Sequence, residues 1–145
     1  MTDYLKRILL AEDNENDLEL TLAALREHRL ANEVVVVRDG AEALDYLYRR
    51  GRFVDGPTTP PALVLLDLKM PKVDGLEVLR QIKSDVHLRR VPTVMLTSSR
   101  EEVDLVRSYE LGVNGYVVKP VDFSDFMEAV RQIGGFWAVV NEVPR

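Results

Sequence analysis

Short apolar runs alternate along this chain with segments whose apolar residues recur at helical spacing. The runs are "RILLA" (7–11), "EVVVV" (33–37), "ALVLL" (62–66), "PTVML" (92–96) and "GYVV" (115–118). Each is apolar at successive positions, the pattern of a strand covered on both faces. Between the runs, Leu18, Leu22 and Leu25 share a helical face, as do Ala43, Leu44 and Leu47, and then Leu76, Leu79 and Ile82. Val103, Val106 and Leu111 mark a fourth helix, and Phe123, Phe126, Met127, Val130 and Ile133 a fifth. Strict alternation of strand and helix predicts one open α/β domain with a parallel sheet and right-handed crossovers. Two stretches escape the pattern: "RRGRFVDGPTTPP" (49–61) and the tail "GGFWAVVNEVPR" (134–145).

Composition narrows the function. A chain of 145 residues, 46% hydrophobic and 30% charged, has the size and balance of one globular unit with a real core. It contains no cysteine, which excludes disulfides, thiolate zinc sites and cysteine nucleophiles. The net charge of -5, with no basic run interleaved with aromatics, argues against a nucleic-acid surface. No apolar stretch has the length of a membrane span, and the first strand starts too early to leave room for a signal peptide. A cytoplasmic protein with no membrane partner is the expectation.

In parallel sheets of this class, ligands bind beyond the carboxyl ends of the strands. Strand 1 delivers Glu12, Asp13 and Asn14 there, strand 3 Asp67, strand 4 Thr97, Ser98 and Ser99, and strand 5 Lys119 before Pro120. Strand 2 delivers only Arg38 and Asp39, read as its turn into the next helix. With strands 1, 3, 4 and 5 as neighbours, three carboxylates, a hydroxyl and a lysine meet at one edge. Clustered carboxylates repel, and a hard divalent cation such as Mg²⁺ relieves that repulsion. Asp67 then stays ionised and serves as a nucleophile toward phosphorus, with the lysine and hydroxyl neutralising and orienting the transferred group.

Each residue also has a plainer role open to it. Asp13 and Asn14 suit the start of a helix, and Asp67 a turn before "KMP". Thr97 suits a strand end, Lys119 a solvated surface and Tyr116 simple packing. The coincidence of all of them at one sheet edge favours the chemical reading.

The acidic pair Glu12-Asp13, "LLDLKMPKVDG" around Asp67, "VMLTSS" around Thr97 and "GYVVKP" ending in Lys119-Pro120 stand in order at successive strand ends. In these motifs the chain resembles the receiver domains of two-component response regulators over nearly its full length. The extended 49–61 connection, "SYELGVNGYVVKP" and Phe136-Trp137 make it most similar to the single-domain regulators that partner phytochrome-type histidine kinases. The resemblance implies a flavodoxin-like sheet of order 2-1-3-4-5 with helices on both faces. It implies a phosphoryl group taken onto Asp67 from a sensor histidine kinase, with Mg²⁺ held by Asp13, Asp67 and the Lys69 carbonyl, and by Glu12 through water. Glu12 stands where many members carry aspartate. Thr97 would bond one phosphoryl oxygen and Lys119 another, Tyr116 would be the switch aromatic, and the Lys119-Pro120 bond would be cis. The chain would then be a phosphoacceptor rather than an enzyme beyond self-catalysed transfer and loss of phosphate.

Residues 1–133 are read as the receiver unit and 134–145 as an extension or arm, with no effector domain, so output runs through protein contacts. Phe136 and Trp137 extend the apolar stripe of the fifth helix beyond Gly134-Gly135, which predicts a homodimer formed by that helix and the arm; the alternative is a tail folded back on its own domain. Lys69 and Ser99, each two past a key residue, flank the path of an attacking water, and a long cation at Lys69 predicts a long-lived phosphorylated form. The rival readings are a degenerate receiver that binds without phosphorylation and a small Mg²⁺-dependent aspartyl-phosphate phosphatase. The phosphatase wants an aspartate where this chain has Lys69, and a nucleotide binder wants a glycine-rich turn where it has "AEDNEN".

Overall fold

The structure is a computed structural model, and it describes residues 7–27, 33–99 and 115–132. Its strands are β1 (Arg7–Ala11), β2 (Glu33–Val37), β3 (Leu63–Asp67), β4 (Thr93–Thr97) and β5 (Gly115–Val118). The helices are α1 (Glu15–Glu27), α2 (Gly40–Tyr48), α3 (Gly75–Ser84) and α4 (Phe123–Gln132), the last being the fifth helical segment of the sequence. The predicted helix around Val103, Val106 and Leu111, the residue Ile133 and the whole 134–145 tail lie outside the described residues.

The strands form one parallel sheet in the order β2-β1-β3-β4-β5, as predicted. Successive side chains of a strand face opposite ways, so each central strand feeds two cores. Leu9, Ala11, Val64, Leu66 and Met95 pack with Val78, Leu79 and Ile82 of α3 and Ala43 and Leu44 of α2. Ile8, Leu10, Leu63, Leu65, Val94 and Leu96 pack with Leu18 and Leu25 of α1 and Phe126 and Met127 of α4. A buried aliphatic or aromatic side chain of this kind contributes about 1.5–3 kcal/mol, so these two layers are what hold the strand ends in place.

Three details depart from the sequence reading. β3 and β4 each run one residue later than predicted, losing Ala62 and Pro92 and gaining Asp67 and Thr97, because pairing continues to Asp67↔Leu96 and Thr97↔Val118. β2 is an edge strand, exposed at Glu33 and half-buried through Val36, rather than covered on both faces. The irregular 49–61 stretch is built: Gly51–Phe53 form a 3-10 turn, the Phe53 ring meets Tyr46 edge-on at 5.1 Å, and the buried Arg7 guanidinium donates to the Thr59 carbonyl. Among the described residues, no helix is long and apolar enough to cross a membrane.

Candidate functional site

The carboxyl ends of β1, β3, β4 and β5 lie side by side, and the residues that follow them make the site. Glu12 is fully buried beyond β1, its N–H donating to the Val37 carbonyl at 3.0 Å. Asn14, not Asp13, caps α1: its Oδ1 accepts the Asp17 N–H at 2.9 Å, and its own N–H donates to Glu12 Oε2 at 3.2 Å. Asp13 is thereby left exposed at the mouth of the site. Carboxylate oxygens of Glu12, Asp13 and Asp67 lie within 4.8 Å of one another. An all-oxygen set with one member open to solvent has the donor chemistry that Mg²⁺ prefers, which leaves room for waters and phosphate oxygens.

Asp67 ends β3, buried, and the loop after it is tied back twice. The Leu68 N–H donates to the Leu96 carbonyl at 3.1 Å, and the Gly75 N–H to the Leu68 carbonyl at 2.8 Å. A Cβ on Gly75 would stand 2.3 Å from the Asp67 carbonyl oxygen, so only glycine lets α3 begin so close to the end of β3. Asp74 caps α3 by accepting the Glu77 N–H at 2.9 Å, and Asp39 caps α2 from the Glu42 N–H at 2.7 Å, as its reading as a turn residue implied. Lys72, in the left-handed region at φ 68°, places its ammonium 3.6 Å from Asp39. Lys69 is exposed on this loop, beside the site.

Thr97 ends β4 fully buried, and its Oγ1 has no hydrogen-bond partner among the described residues. A buried hydroxyl without a partner costs about 1–3 kcal/mol; the Thr21 and Tyr46 hydroxyls are unpartnered in the same way, but only that of Thr97 lies at the carboxyl end of a central strand. The Thr97 carbonyl accepts the Lys119 N–H at 2.7 Å, which fixes the lysine backbone beyond β5, and the Lys119-Pro120 bond is cis. Tyr116 is half-buried on β5 opposite Met95, and its ring packs against the α2/α3 core.

The Lys119 ammonium reaches across the sheet edge into the carboxylates. Its Nζ lies 3.2 Å from Glu12 Oε1, 3.2 Å from Asp67 Oδ1 and 2.8 Å from Asp17 Oδ2. Burial pushes the Asp67 carboxyl up, the Glu12 charge and hydrogen bond push it further, and Lys119 opposes them, leaving a pKa of about 7. Burial alone would lower the Lys119 pKa, but the Asp17 hydrogen bond and the charges of Asp67 and Glu12 outweigh it and hold the ammonium above the ordinary lysine range. The structure thus brings Glu12, Asp13, Asp67 and Lys119 together. Asp17 is the member that the sequence reading missed. "ENDLEL" reads as the solvated first turn of a helix, which carries no signal that Asp17 faces the strand ends.

Residues 8–131 match the family described as response regulator receiver domain. Response regulator Rcp1 of Synechocystis sp. is 40% identical over 139 residues, spanning 96% of this chain and 93% of its own. The solved bacteriophytochrome response regulator AtBRR is 64% identical with a TM-score of 0.91, covering 97% of this chain and 100% of that one. The phosphorylated cyanobacterial phytochrome response regulator RcpA is 42% identical with a TM-score of 0.75, over 98% and 100% of the two chains. A Mn(2+)-bound form of Rcp1 has been solved as well, 39% identical with a TM-score of 0.73 over 97% and 99%.

Proposed function

This chain belongs to the response regulator receiver domain family, and on that footing we propose that it takes a phosphoryl group from a sensor histidine kinase onto Asp67, with Mg²⁺, and signals through protein contacts. The observation that carries this reading is the convergence on Asp67 of Glu12, Asp13 and Lys119 from two other strand ends. The chain's similarity to bacteriophytochrome and cyanobacterial phytochrome response regulators supports a phytochrome-type kinase as the donor.

Asp13 and Asp67 would hold the cation with the Lys69 carbonyl, and Glu12 would reach it through water; a bound Mg²⁺ would supply charge neutralisation and orient phosphate oxygens. An Asp67 Oδ attacks phosphorus while the bond from phosphorus to the kinase histidine nitrogen breaks, and the imidazole leaves with the electron pair. The product is an acyl phosphate. Lys119 then faces a phosphoryl oxygen instead of an Asp67 oxygen alone, and the unpartnered Thr97 hydroxyl gains an acceptor. Tyr116, one strand over from Thr97, is the aromatic we assign to follow that movement. A phosphoryl group adds roughly two negative charges at this edge, enough to reposition both partners.

In this reading residues 1–133 are the receiver unit, and 134–145 are an arm that pairs two copies with the help of the fifth helical segment. Phe136 and Trp137 support the arm, and sedimentation of a chain cut before Phe136 tests it, with an unaffected dimer refuting it. The central test is incubation with acetyl phosphate and Mg²⁺ followed by intact mass. A single phosphoryl adduct on the natural chain, absent from Asp67→Asn, is expected; no adduct on the natural chain overturns the reading.

A further inference from the structure

An ammonium has three N–H donors, and three carboxylates surround that of Lys119. Glu12 is fully buried and the Asp67 side chain is 7% exposed, whereas Asp17 is 29% exposed and makes the shortest contact, 2.8 Å. Asp17 is held in place from below. Its N–H donates to Asn14 Oδ1 at 2.9 Å, and the Asn14 N–H donates to Glu12 Oε2 at 3.2 Å, so the first turn of α1 and the acidic pair form one hydrogen-bonded unit. With its three donors facing three anions, Lys119 has none to spare for an incoming phosphoryl oxygen. One carboxylate must yield. Glu12 has no water to turn to, and Asp67 is the acceptor itself, so the half-exposed Asp17 is the one whose release costs least.

We propose that Asp17 is a positioning residue that restrains Lys119 before phosphorylation and surrenders it to the phosphoryl group. Asp17 acts only through Lys119 and touches no reacting atom. It sets how readily Asp67 is charged, because each transfer must first exchange a charge-assisted Asp17 contact for a phosphoryl contact. The proposal rests on Asp67 being the phosphoacceptor.

The test uses the full chain, with phosphorylation by acetyl phosphate and Mg²⁺ followed by intact mass over time. Asp17→Asn keeps the shape and removes the charge, and is expected to raise the initial rate by about three- to tenfold. Asp17→Glu is expected to return the rate toward that of the natural chain, and in a Lys119→Gln background Asp17→Asn is expected to change nothing. A purely structural Asp17 would not lose its effect with Lys119. In the unphosphorylated protein, the ¹⁵N-labelled Lys119 ammonium is expected to exchange with water faster in Asp17→Asn than in the natural chain. Unchanged ammonium exchange, an unchanged or slower rate in Asp17→Asn, or the same rise in the Lys119→Gln background overturns the proposal alone. The absence of any adduct on the natural chain overturns the phosphoacceptor reading, and this proposal with it.

Discussion

Lys119 Nζ stands 3.2 Å from Asp67 Oδ1, although β5 and β3, the strands that deliver them, are separated in the sheet by β4. The intervening strand makes the contact possible: the Thr97 carbonyl of β4 holds the Lys119 N–H at 2.7 Å, and the four-carbon side chain crosses the rest of the distance. The ion pair therefore links the outermost strand β5 to the central strand β3 through a main-chain anchor on the strand between them.

Removing that ammonium leaves the Glu12 and Asp67 carboxyls buried against one another without the cation that both contact. Lys119→Gln is expected to destabilise the metal-free protein by about 2–4 kcal/mol, toward the lower end of what breaking a buried ion pair costs. Mg²⁺ should restore more stability to the variant than it adds to the natural chain, since the cation takes over the neutralising role. Denaturant melts with and without Mg²⁺ check this, and equal gains in the two proteins would contradict it.

Thr97→Val keeps the shape of a side chain whose hydroxyl has no partner among the described residues. Stability should stay level or rise by about 1 kcal/mol, because an unsatisfied buried hydroxyl is removed. Phosphorylation should slow, by about tenfold. A variant both less stable and equally quick to phosphorylate would show that the hydroxyl serves packing instead.

The two glycines at 75 and 115 should behave in opposite ways. A Cβ at Gly75 meets the Asp67 carbonyl oxygen at 2.3 Å and the Leu68 Cα at 2.9 Å, both backbone atoms that can give way only by moving the end of β3. Gly75→Ala is expected to cost about 1–3 kcal/mol and to slow phosphorylation. At Gly115 the nearest atom is Ala129 Cβ at 3.4 Å, ordinary contact. Gly115→Ala should shift stability by no more than about 1 kcal/mol in either direction. Melting curves of the two proteins settle the comparison.

Lys69 stands exposed on the loop just past Asp67. If its long cationic side chain crowds the approach of water, Lys69→Ala should lose phosphate faster than the natural chain once acetyl phosphate is removed. Unchanged or slower decay would sink the crowding idea.

Much of this was legible in the sequence because the signals were long and redundant. Successive apolar residues in "RILLA" and "LVLL" specify strands covered on both faces, and those two are fully buried. Leu18, Leu25, Leu79 and Ile82, placed on inward helix faces by spacing alone, are buried as well. The edge position of β2 was hidden because "EVVVV" has the composition of a central strand, and which strand lies outermost depends on pairing rather than on residue type. Strand ends slipped by one residue for the same reason: a carboxylate at Asp67 looks like an end, yet its backbone still pairs with β4. At the site, strand-end residues could be found by following each strand to its carboxyl end. Asp17 could not, since it arrives from a helix turn and its role depends on a lysine more than a hundred positions away, as the separation of 102 shows. Asp13 and Asn14 were equally good caps on paper; the backbone geometry gave the cap to Asn14 and left Asp13 facing solvent.

The most direct measurement locates the phosphoryl group. Protein treated with acetyl phosphate and Mg²⁺ is reduced with borohydride, which converts an aspartyl phosphate to homoserine, and is then mapped by peptide mass. Homoserine at position 67 alone, and only when both reagents are present, is the result predicted. Homoserine at Asp13 or another carboxylate, or at none, would contradict the account.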